Sequence, residues 1–299
     1  MYCHCRGIAE EQTGFADFEE IYRTQPIITM SPMNDILNEI VAYKRTELIL
    51  QKQVVSPEHL CTQVKDLPSR PSHRSMKQSL KTSSTGIIAE FKRRSPSKGW
   101  FNQDARADQI PPAYERAGAA ALSILTDEKY FGGSLGDIRT ARPLVSLPIL
   151  RKDFIIDPYQ VYQARLVDAD AILLIAACLS TAQCCELACL AHELQLEVLL
   201  EVHRPEELDY IDEGIDMVGM NNRNLGSFVT DVNNSFRMAP VLKQAISPMG
   251  EQAPLLVSES GIGSADTMAK LREAGFQGFL IGEALMTHKN LLDKPLNIL

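Results

Sequence analysis

The stretch IIAEFKRRSPSKGW, residues 87–100, joins an apolar run to a basic, serine-rich loop. A short apolar run of this kind is typical of a buried β-strand. Near its end it carries Glu90 and Lys92, and a strand points two residues at this spacing to the same face. Strands of a parallel sheet that is covered on both sides are apolar throughout unless function intervenes. The pair therefore indicates a strand whose carboxyl end faces something polar.

The same pattern, a short apolar run and then a helical segment, recurs along the chain. Gly118, Gly214 and Gly275 each precede a new run, as glycines at helix C-termini do. Eight β-then-α units over about 200 residues predict an α/β fold, a (β/α)8 TIM barrel. An open doubly wound sheet is the alternative, but no glycine fingerprint follows the first run. The eight runs are 86–93, 120–127, 148–154, 171–177, 197–203, 217–224, 255–261 and 278–285.

The chain before the first run divides into three parts. Residues 1–32 have neither helical patterning nor a leader composition, and we expect a poorly structured N-terminal extension. Apolar residues then recur at helical spacing, which predicts an extra N-terminal helical segment at about 33–67. Residues 68–84 are rich in Ser, Lys, Arg and Pro, which is typical of a surface linker. Residues 33–299 are thus predicted to form a single barrel domain.

Composition restricts the class of function. The formal net charge of −8 and pI of about 5.4 argue against a surface for nucleic acid or anionic membrane. No apolar run reaches the roughly 20 residues that a membrane-spanning helix needs. The seven cysteines lack framework spacing, which favours a reducing, cytoplasmic setting. Cys3, His4 and Cys5 have no second ligand pair at metal-binding spacing, so no metal is predicted.

Polar side chains cluster at the carboxyl ends of the predicted strands, where TIM barrels place their active sites. We expect the carboxylates and cations to meet at one mouth and to couple their pKa values, which supplies an acid and a base near neutral pH. The alternative is a ring of structural ion pairs, and His203 is predicted to pack against Glu201. The clusters are Glu90 and Lys92; Lys152 with Arg151 and Asp153; Glu201 and His203; Asn221 and Arg223; Glu259 and Ser260; Gly282 and Glu283.

The last two runs lead into SESGIGS and IGEAL, which carry a different signal. Gly261, Gly263 and Gly282 let backbone N–H groups approach a ligand closely. The loops after strands seven and eight form the common phosphate site of these barrels. The sequence therefore predicts a phosphorylated ligand.

Six motifs, in order, resemble those of the indole-3-glycerol phosphate synthase family: AEFKRRSPSKG, ILRKDFIIDPYQ, LLEVH, GMNNRNL, VSESGI and IGEALM. The resemblance covers about residues 33 to 290. It implies a (β/α)8 barrel with preceding helices and a carboxy-lyase of tryptophan biosynthesis that uses no cofactor. The implied reaction turns 1-(2-carboxyphenylamino)-1-deoxyribulose 5-phosphate into indole-3-glycerol phosphate, carbon dioxide and water.

The resemblance also implies roles for individual residues. Lys152 would be the general acid of ring closure, with Glu201 balancing its charge. Glu90 and Lys92 would be the base and the acid of dehydration. The substrate-binding residues would be Ser95, Phe131, Asn221 and Arg223. The phosphate-binding residues would be Ser260, Gly261, Gly282 and Glu283, the last through its N–H with its side chain turned away.

Two alternatives stay open. Another phosphate-binding barrel, such as phosphoribosylanthranilate isomerase or the tryptophan synthase α chain, would share the last two loops but would not require the lysines and glutamates of strands one, three and five. A degenerate barrel kept as a binding subunit should have lost part of the charged ring. The expected partner is a phosphorylated small molecule, with no nucleic acid and no membrane. The expected state is a monomer.

Overall fold

Eight parallel strands close into a barrel whose interior is filled by their apolar side chains. The computed structural model describes residues 35–68, 74–224, 226, 228–287 and 296. The sheet order β1-β10-β9-β8-β7-β6-β5-β4 confirms the predicted barrel, and β2 and β3 form a separate antiparallel hairpin. The strands in the described residues are β1 Ile87–Phe91, β2 Arg94–Ser95, β3 Gly99–Trp100, β4 Ala121–Leu125, β5 Ile149–Lys152, β6 Ala171–Ile175, β7 Glu197–Val202, β8 Met217–Asn221, β9 Leu255–Glu259 and β10 Gly278–Ile281.

Helices cover the outside of the barrel, and side-chain caps fix several of their starts. Asp157 accepts a hydrogen bond from the N–H of Tyr159, and Ser264 from that of Thr267. The crossover from β7 to β8 contains only the 3-10 helix Pro205–Tyr210. The α-helices are α1 Asp35–Val54, α2 Pro57–Lys65, α3 Met76–Thr82, α4 Ile110–Arg116, α5 Glu128–Phe131, α6 Leu135–Ala141, α7 Pro158–Leu166, α8 Thr181–Glu193, α9 Asn233–Ile246, α10 Ala265–Ala274 and α11 Glu283–Thr287.

Two helices precede the first barrel strand in the region where the sequence predicts them. α1 packs Leu37, Val41 and Leu48 into the core, and α2 begins after Ser56, which caps it. The extension expected over residues 1–32, including Cys3, His4 and Cys5, lies outside the described residues. Where the structure describes the chain, no helix is long and apolar enough to cross a membrane.

The linker predicted for residues 68–84 was wrong in its second half, which contains α3. Met76 and Leu80 on this helix are almost completely buried. Glu197, the first residue of β7, accepts the N–H groups of Met76 and Lys77 at 2.6 and 3.0 Å. Only two apolar residues carry the burial and the capping carboxylate comes from a distant strand, so local composition could not reveal this helix.

An ion network stabilises the N-terminal face of the barrel. Asp170, which directly precedes β6, is fully buried. It accepts hydrogen bonds from Arg74 Nε at 3.0 Å and Arg142 Nη1 at 2.8 Å, and from the N–H of Ile149 at 2.9 Å. Because the active sites of such barrels lie at the opposite face, this network contributes to stability.

We expect Asp170→Asn to lower the free energy of unfolding by about 3 kcal/mol, because it leaves two guanidinium groups beside an uncharged amide. Urea denaturation measures the change. Asp266→Asn is the control, since it removes a carboxylate from the exposed pair with Lys270 and should leave the stability nearly unchanged. An Asp170→Asn protein as stable as the wild type would contradict this role.

Candidate active site

A cavity of about 650 Å³ opens at the carboxyl ends of the barrel strands. Hydrophobic residues of α1 and the turn of the β2–β3 hairpin also contribute to its wall. The structure brings together in this wall every site residue selected from the sequence: Glu90, Lys92, Ser95, Phe131, Lys152, Glu201, Asn221, Arg223, Ser260, Gly261, Gly282 and Glu283.

Strand pairing explains why several of these side chains point inward together. Glu201 on β7 pairs with Gly219 on β8, and Asn221 on β8 pairs with Glu259 on β9. Gly219 and Asn221 are two residues apart, so they share one face of their strand. The register therefore directs Glu201, Asn221 and Glu259 into the same barrel mouth.

Lys152 is the centre of a buried ion cluster. Its Nζ lies 3.0 Å from Glu201 Oε2 and 3.7 Å from Glu259 Oε2. Asn221 Nδ2 donates a hydrogen bond to the other oxygen of Glu201 at 3.0 Å. Burial alone disfavours the ammonium form, but the carboxylates of Glu201, Glu259 and Glu90 outweigh it and raise the pKa of Lys152. Lys152 therefore stays protonated at neutral pH and can donate a proton.

Glu90 forms a second ion pair, with Lys92, whose ammonium group donates to Glu90 Oε1. Burial alone would raise the pKa of Glu90, but the ammonium groups of Lys92 and Lys152 lower it. The pKa of Glu201 is likewise lowered against its burial, chiefly by Lys152. The predicted coupling is present, but it moves these groups away from neutrality, because alternating charges stabilise each other's ionised forms.

Glu259 is an ionisable residue of the cavity that was noted in the sequence but not selected as a site residue. It is buried, and its Oε1 has no hydrogen-bond partner among the described residues. Burial and repulsion by Glu201 raise the pKa of Glu259 to about 8. A Cβ at Gly219 would collide with this carboxyl group. A glycine inside an apolar strand marks such a close approach, and that signal could have identified Glu259.

The glycines of the last two loops are required for different steric reasons. A Cβ at Gly282 would collide with Glu90 Oε1, so Gly282 makes room for that carboxylate. Ser260 and Gly261 both adopt left-handed backbone conformations, with φ of 68° and 76°. For a serine this conformation is uncommon and is seen most often where the surrounding structure enforces it. The loop after β9 is therefore held in one particular shape.

The side chain of Glu283 does not turn away from the cavity, contrary to expectation. Its carboxylate pairs with Lys98 in the hairpin turn and lies 3.3 Å from Arg223 Nη2. Arg223 Nη1 also donates to Ser97 Oγ at 3.2 Å. The two cations attract the carboxylate and lower its pKa against the effect of partial burial. Glu283 therefore ties the β2–β3 hairpin to the loop after β10.

Apolar side chains form another side of the cavity. Phe131 at the end of α5 and Phe154 after β5 have ring centroids 6.1 Å apart. Ile36, Leu37 and Ile40 of α1 complete this wall. In the strand order, β5 lies diametrically opposite β9, so Phe154 faces the glycine loop after β9 across the barrel. Phe131 is predicted from the sequence, whereas Phe154 and the residues of α1 are not.

His203 lies outside the cavity wall, beside Glu201 as expected. Its Nε2 is 3.3 Å from Glu201 Oε1, and its Nδ1 is 3.7 Å from Glu207 Oε2. Burial alone would lower the pKa of His203, but these two carboxylates raise it to about 9. A charged imidazole thus supports the ionised form of Glu201. In the described ranges, no three His, Cys, Asp or Glu side chains are grouped to bind a metal.

A family model described as indole-3-glycerol phosphate synthase matches residues 37–295. The chain belongs to the indole-3-glycerol phosphate synthase family. An indole-3-glycerol phosphate synthase of Bacteroides thetaiotaomicron is 61% identical over 254 residues, which cover 85% of this chain and 94% of that protein. One of Neisseria meningitidis is 43% identical over 256 residues, 85% of this chain and 95% of its own length.

Solved structures support the fold independently of sequence. The N-acetylmannosamine-6-phosphate 2-epimerase of Clostridium perfringens superimposes with a TM-score of 0.53, covering 73% of this chain and 94% of that one. At 15% identity this likeness concerns the barrel alone. Membership of the indole-3-glycerol phosphate synthase family rests on the sequence relatives.

The raised pKa of Glu259 predicts a specific dependence of stability on pH. Below pH 4.5 the carboxyl group is protonated in both the folded and the unfolded chain. Between pH 4.5 and about 8 the folded protein keeps a proton that the unfolded chain has lost. Glu259 therefore makes the free energy of unfolding fall as pH rises, by up to about 1.4 kcal/mol per pH unit.

Glu259→Gln removes this ionisation, so the variant should gain stability relative to the wild type as pH rises through this window. Urea denaturation of both proteins at several pH values measures the difference. Stability curves that run parallel from pH 4.5 to 8 would show that Glu259 titrates normally.

Proposed function

We propose that the chain converts 1-(2-carboxyphenylamino)-1-deoxyribulose 5-phosphate into indole-3-glycerol phosphate, in tryptophan biosynthesis. The observation that carries the proposal is a buried ammonium group, Lys152, held by Glu201 and Glu259 in a cavity with one apolar wall. Such a cavity suits a substrate with an aromatic ring, a carbonyl group to be protonated and a phosphate.

Ring closure needs an acid at the ribulose carbonyl. The ring carbon that bears the carboxylate forms a bond to the carbonyl carbon, while Lys152 gives a proton to the carbonyl oxygen. The substrate carboxylate then leaves as carbon dioxide, and the electrons of the broken bond restore the aromatic ring. Glu201, 3.0 Å from Lys152, holds the ammonium in place and stabilises positive charge that develops on the substrate nitrogen.

Dehydration needs a second acid and a base. Lys92 protonates the hydroxyl group that leaves as water, and Glu90 takes a proton from the methylene carbon next to the nitrogen, so that the carbon–carbon double bond of the indole ring forms. Their ion pair supports this division, because Lys92 supplies a proton and the lowered pKa of Glu90 keeps it ionised. The hairpin turn that carries Lys98 covers this part of the cavity and keeps water from the charged intermediate.

The remaining residues anchor the substrate. Phe131 contacts the aromatic ring, while Asn221 and Arg223 hold polar groups near Glu201. The phosphate lies at Ser95 and the glycine loops, where N–H groups of Ser260, Gly261, Gly282 and Glu283 surround it. The positions of β5 and β9 across the barrel support this separation of ring and phosphate.

The two alternative functions have less support. A barrel that only isomerises a phosphorylated sugar does not require two lysines paired with glutamates in one cavity. A degenerate binding subunit would have lost part of this charged set, and all of it lines the cavity.

We further propose that the enzyme is a monomer in the cytoplasm. Cys61, Cys178 and Cys184 are buried free thiols, which agrees with a reducing compartment. Size-exclusion chromatography with light scattering tests the oligomeric state.

Lys152→Met keeps the volume of the side chain but removes the proton donor, so kcat should fall about 10²- to 10⁴-fold. The fluorescence of the indole product measures turnover. Lys270→Met, which removes an exposed ammonium on α10, is the control and should leave kcat unchanged.

Turnover that survives in Lys152→Met and disappears in Lys92→Met would move the first acid to Lys92. Absence of product from a folded wild-type protein would contradict the proposed reaction.

Glu283→Gln should lower the KM for substrate about twofold to fivefold, the range of a partly exposed charge pair. The substitution keeps the backbone N–H but removes the carboxylate that competes with the polar and anionic groups of the substrate for Lys98 and Arg223. Steady-state kinetics measure the change, with the exposed Glu273→Gln as control. A raised KM would show that the carboxylate assists phosphate binding by holding the hairpin.

A further inference from the structure

A single buried ammonium group lies behind the apolar wall of the cavity. Lys44 of α1 is 2% exposed, although it stands on the helix face that buries Leu37, Val41 and Leu48. Its Nζ lies 2.8 Å from Glu47 Oε2, 2.9 Å from Asp127 Oδ2 and 3.1 Å from Asp153 Oδ1. Burial disfavours the ammonium, but Asp153, Asp127 and Glu47 outweigh this and raise the pKa of Lys44.

Both aspartates hold a phenylalanine of the cavity wall. Asp127 caps α5 by accepting the N–H of Tyr130 at 2.8 Å, and Phe131 is the last residue of that short helix. Asp153 accepts the N–H of Phe154 at 2.9 Å and directly follows Lys152. The carboxylates that bind Lys44 thus belong to the two turns that present the aromatic side chains.

The third part of the wall is on the same helix as the lysine. Ile36, Leu37 and Ile40 of α1 line the cavity one to two turns before Lys44. The ammonium group therefore connects all three sources of the apolar wall: α1, the turn after β4 and the turn after β5. The glycine loops after β9 and β10 make no contact with it among the ion pairs of the described residues.

We propose that Lys44 is a positioning residue that assembles the subsite for the aromatic ring of the substrate. The proposal rests on the proposed function, since it assumes that this wall contacts the ring. Lys44 does not touch the substrate itself. Its role is to fix the positions of Phe131, Phe154 and the three aliphatic side chains relative to one another.

The test separates the affinity for the ring from the affinity for the phosphate. Kinetic constants for the full substrate, and competitive inhibition constants for anthranilate and for inorganic phosphate, are measured for wild type and Lys44→Met. We expect kcat/KM to fall about 10- to 100-fold, because misplacing a substrate by a fraction of an ångström to one ångström has effects of this size. Inhibition by anthranilate should weaken in parallel, while inhibition by phosphate stays unchanged.

Lys52→Met is the matched control. Lys52 lies on the same helix and pairs with Asp157 at 2.7 Å, but neither residue lines the cavity. This variant should have wild-type kinetic constants even where its thermal stability falls. A merely structural role for Lys44 would likewise reduce the folded fraction and leave KM and both inhibition constants unchanged.

A second variant decides the question if Lys44→Met does not fold. Asp127→Asn keeps an oxygen that can accept the N–H of Tyr130 but weakens the link from α1 to α5. It should raise KM and weaken anthranilate inhibition without affecting phosphate. Wild-type constants in a folded variant, or an equal loss for both inhibitors, would overturn the proposal. A wild-type protein that makes no product would instead overturn the proposed function.

Discussion

The structure of this site depends on the placement of positive charge among carboxylates that are removed from water. Lys152 can stay protonated in the barrel mouth because ionised carboxylates surround it, above all that of Glu201 at 3.0 Å. Glu201 in turn is stabilised by Asn221 and by His203. Two glycines make room for this set of acids, since side chains at Gly219 and Gly282 would collide with Glu259 and Glu90.

Carboxyl and ammonium groups alternate in the cavity. Among Glu90, Glu201 and Glu259, only Glu259 has no cation at hydrogen-bond distance in the described residues. Glu90 and Glu201 each have a cation at hydrogen-bond distance and are ionised. Glu259 lies farther away, at 3.7 Å from the Nζ of Lys152, and the pKa of Glu259 is raised to about 8. A site that binds a substrate with two anionic groups thus starts with one carboxyl group neutral near physiological pH. Substrate binding then meets less repulsion than the number of acids suggests.

A second buried cation organises the apolar half of the same cavity. Lys44 connects α1 to the turns after β4 and β5. This helix, which precedes the barrel, therefore contributes apolar side chains to the cavity wall and also the ammonium group that holds the neighbouring turns. The N-terminal face uses the same kind of interaction at Asp170, far from the chemistry. Buried charges are costly unless they are paired, and in this barrel the pairs join elements that are distant in the chain.

The eight apolar runs and the helical segments between them were enough to predict the barrel. The spacing of apolar residues in strands and helices is a local property, so it can be recognised in the sequence without knowledge of distant contacts. The polar residues that end those runs determined most of the site for the same reason, since every strand end of a barrel meets at one mouth. Tertiary structure alone decided the helix Met76–Thr82, the inward-facing Glu283 and the contributions of Phe154 and α1. It also decided the ionisation of each acid and the role of Lys44. Those properties depend on which distant groups approach in space, and hydrophobic periodicity carries no information about such contacts.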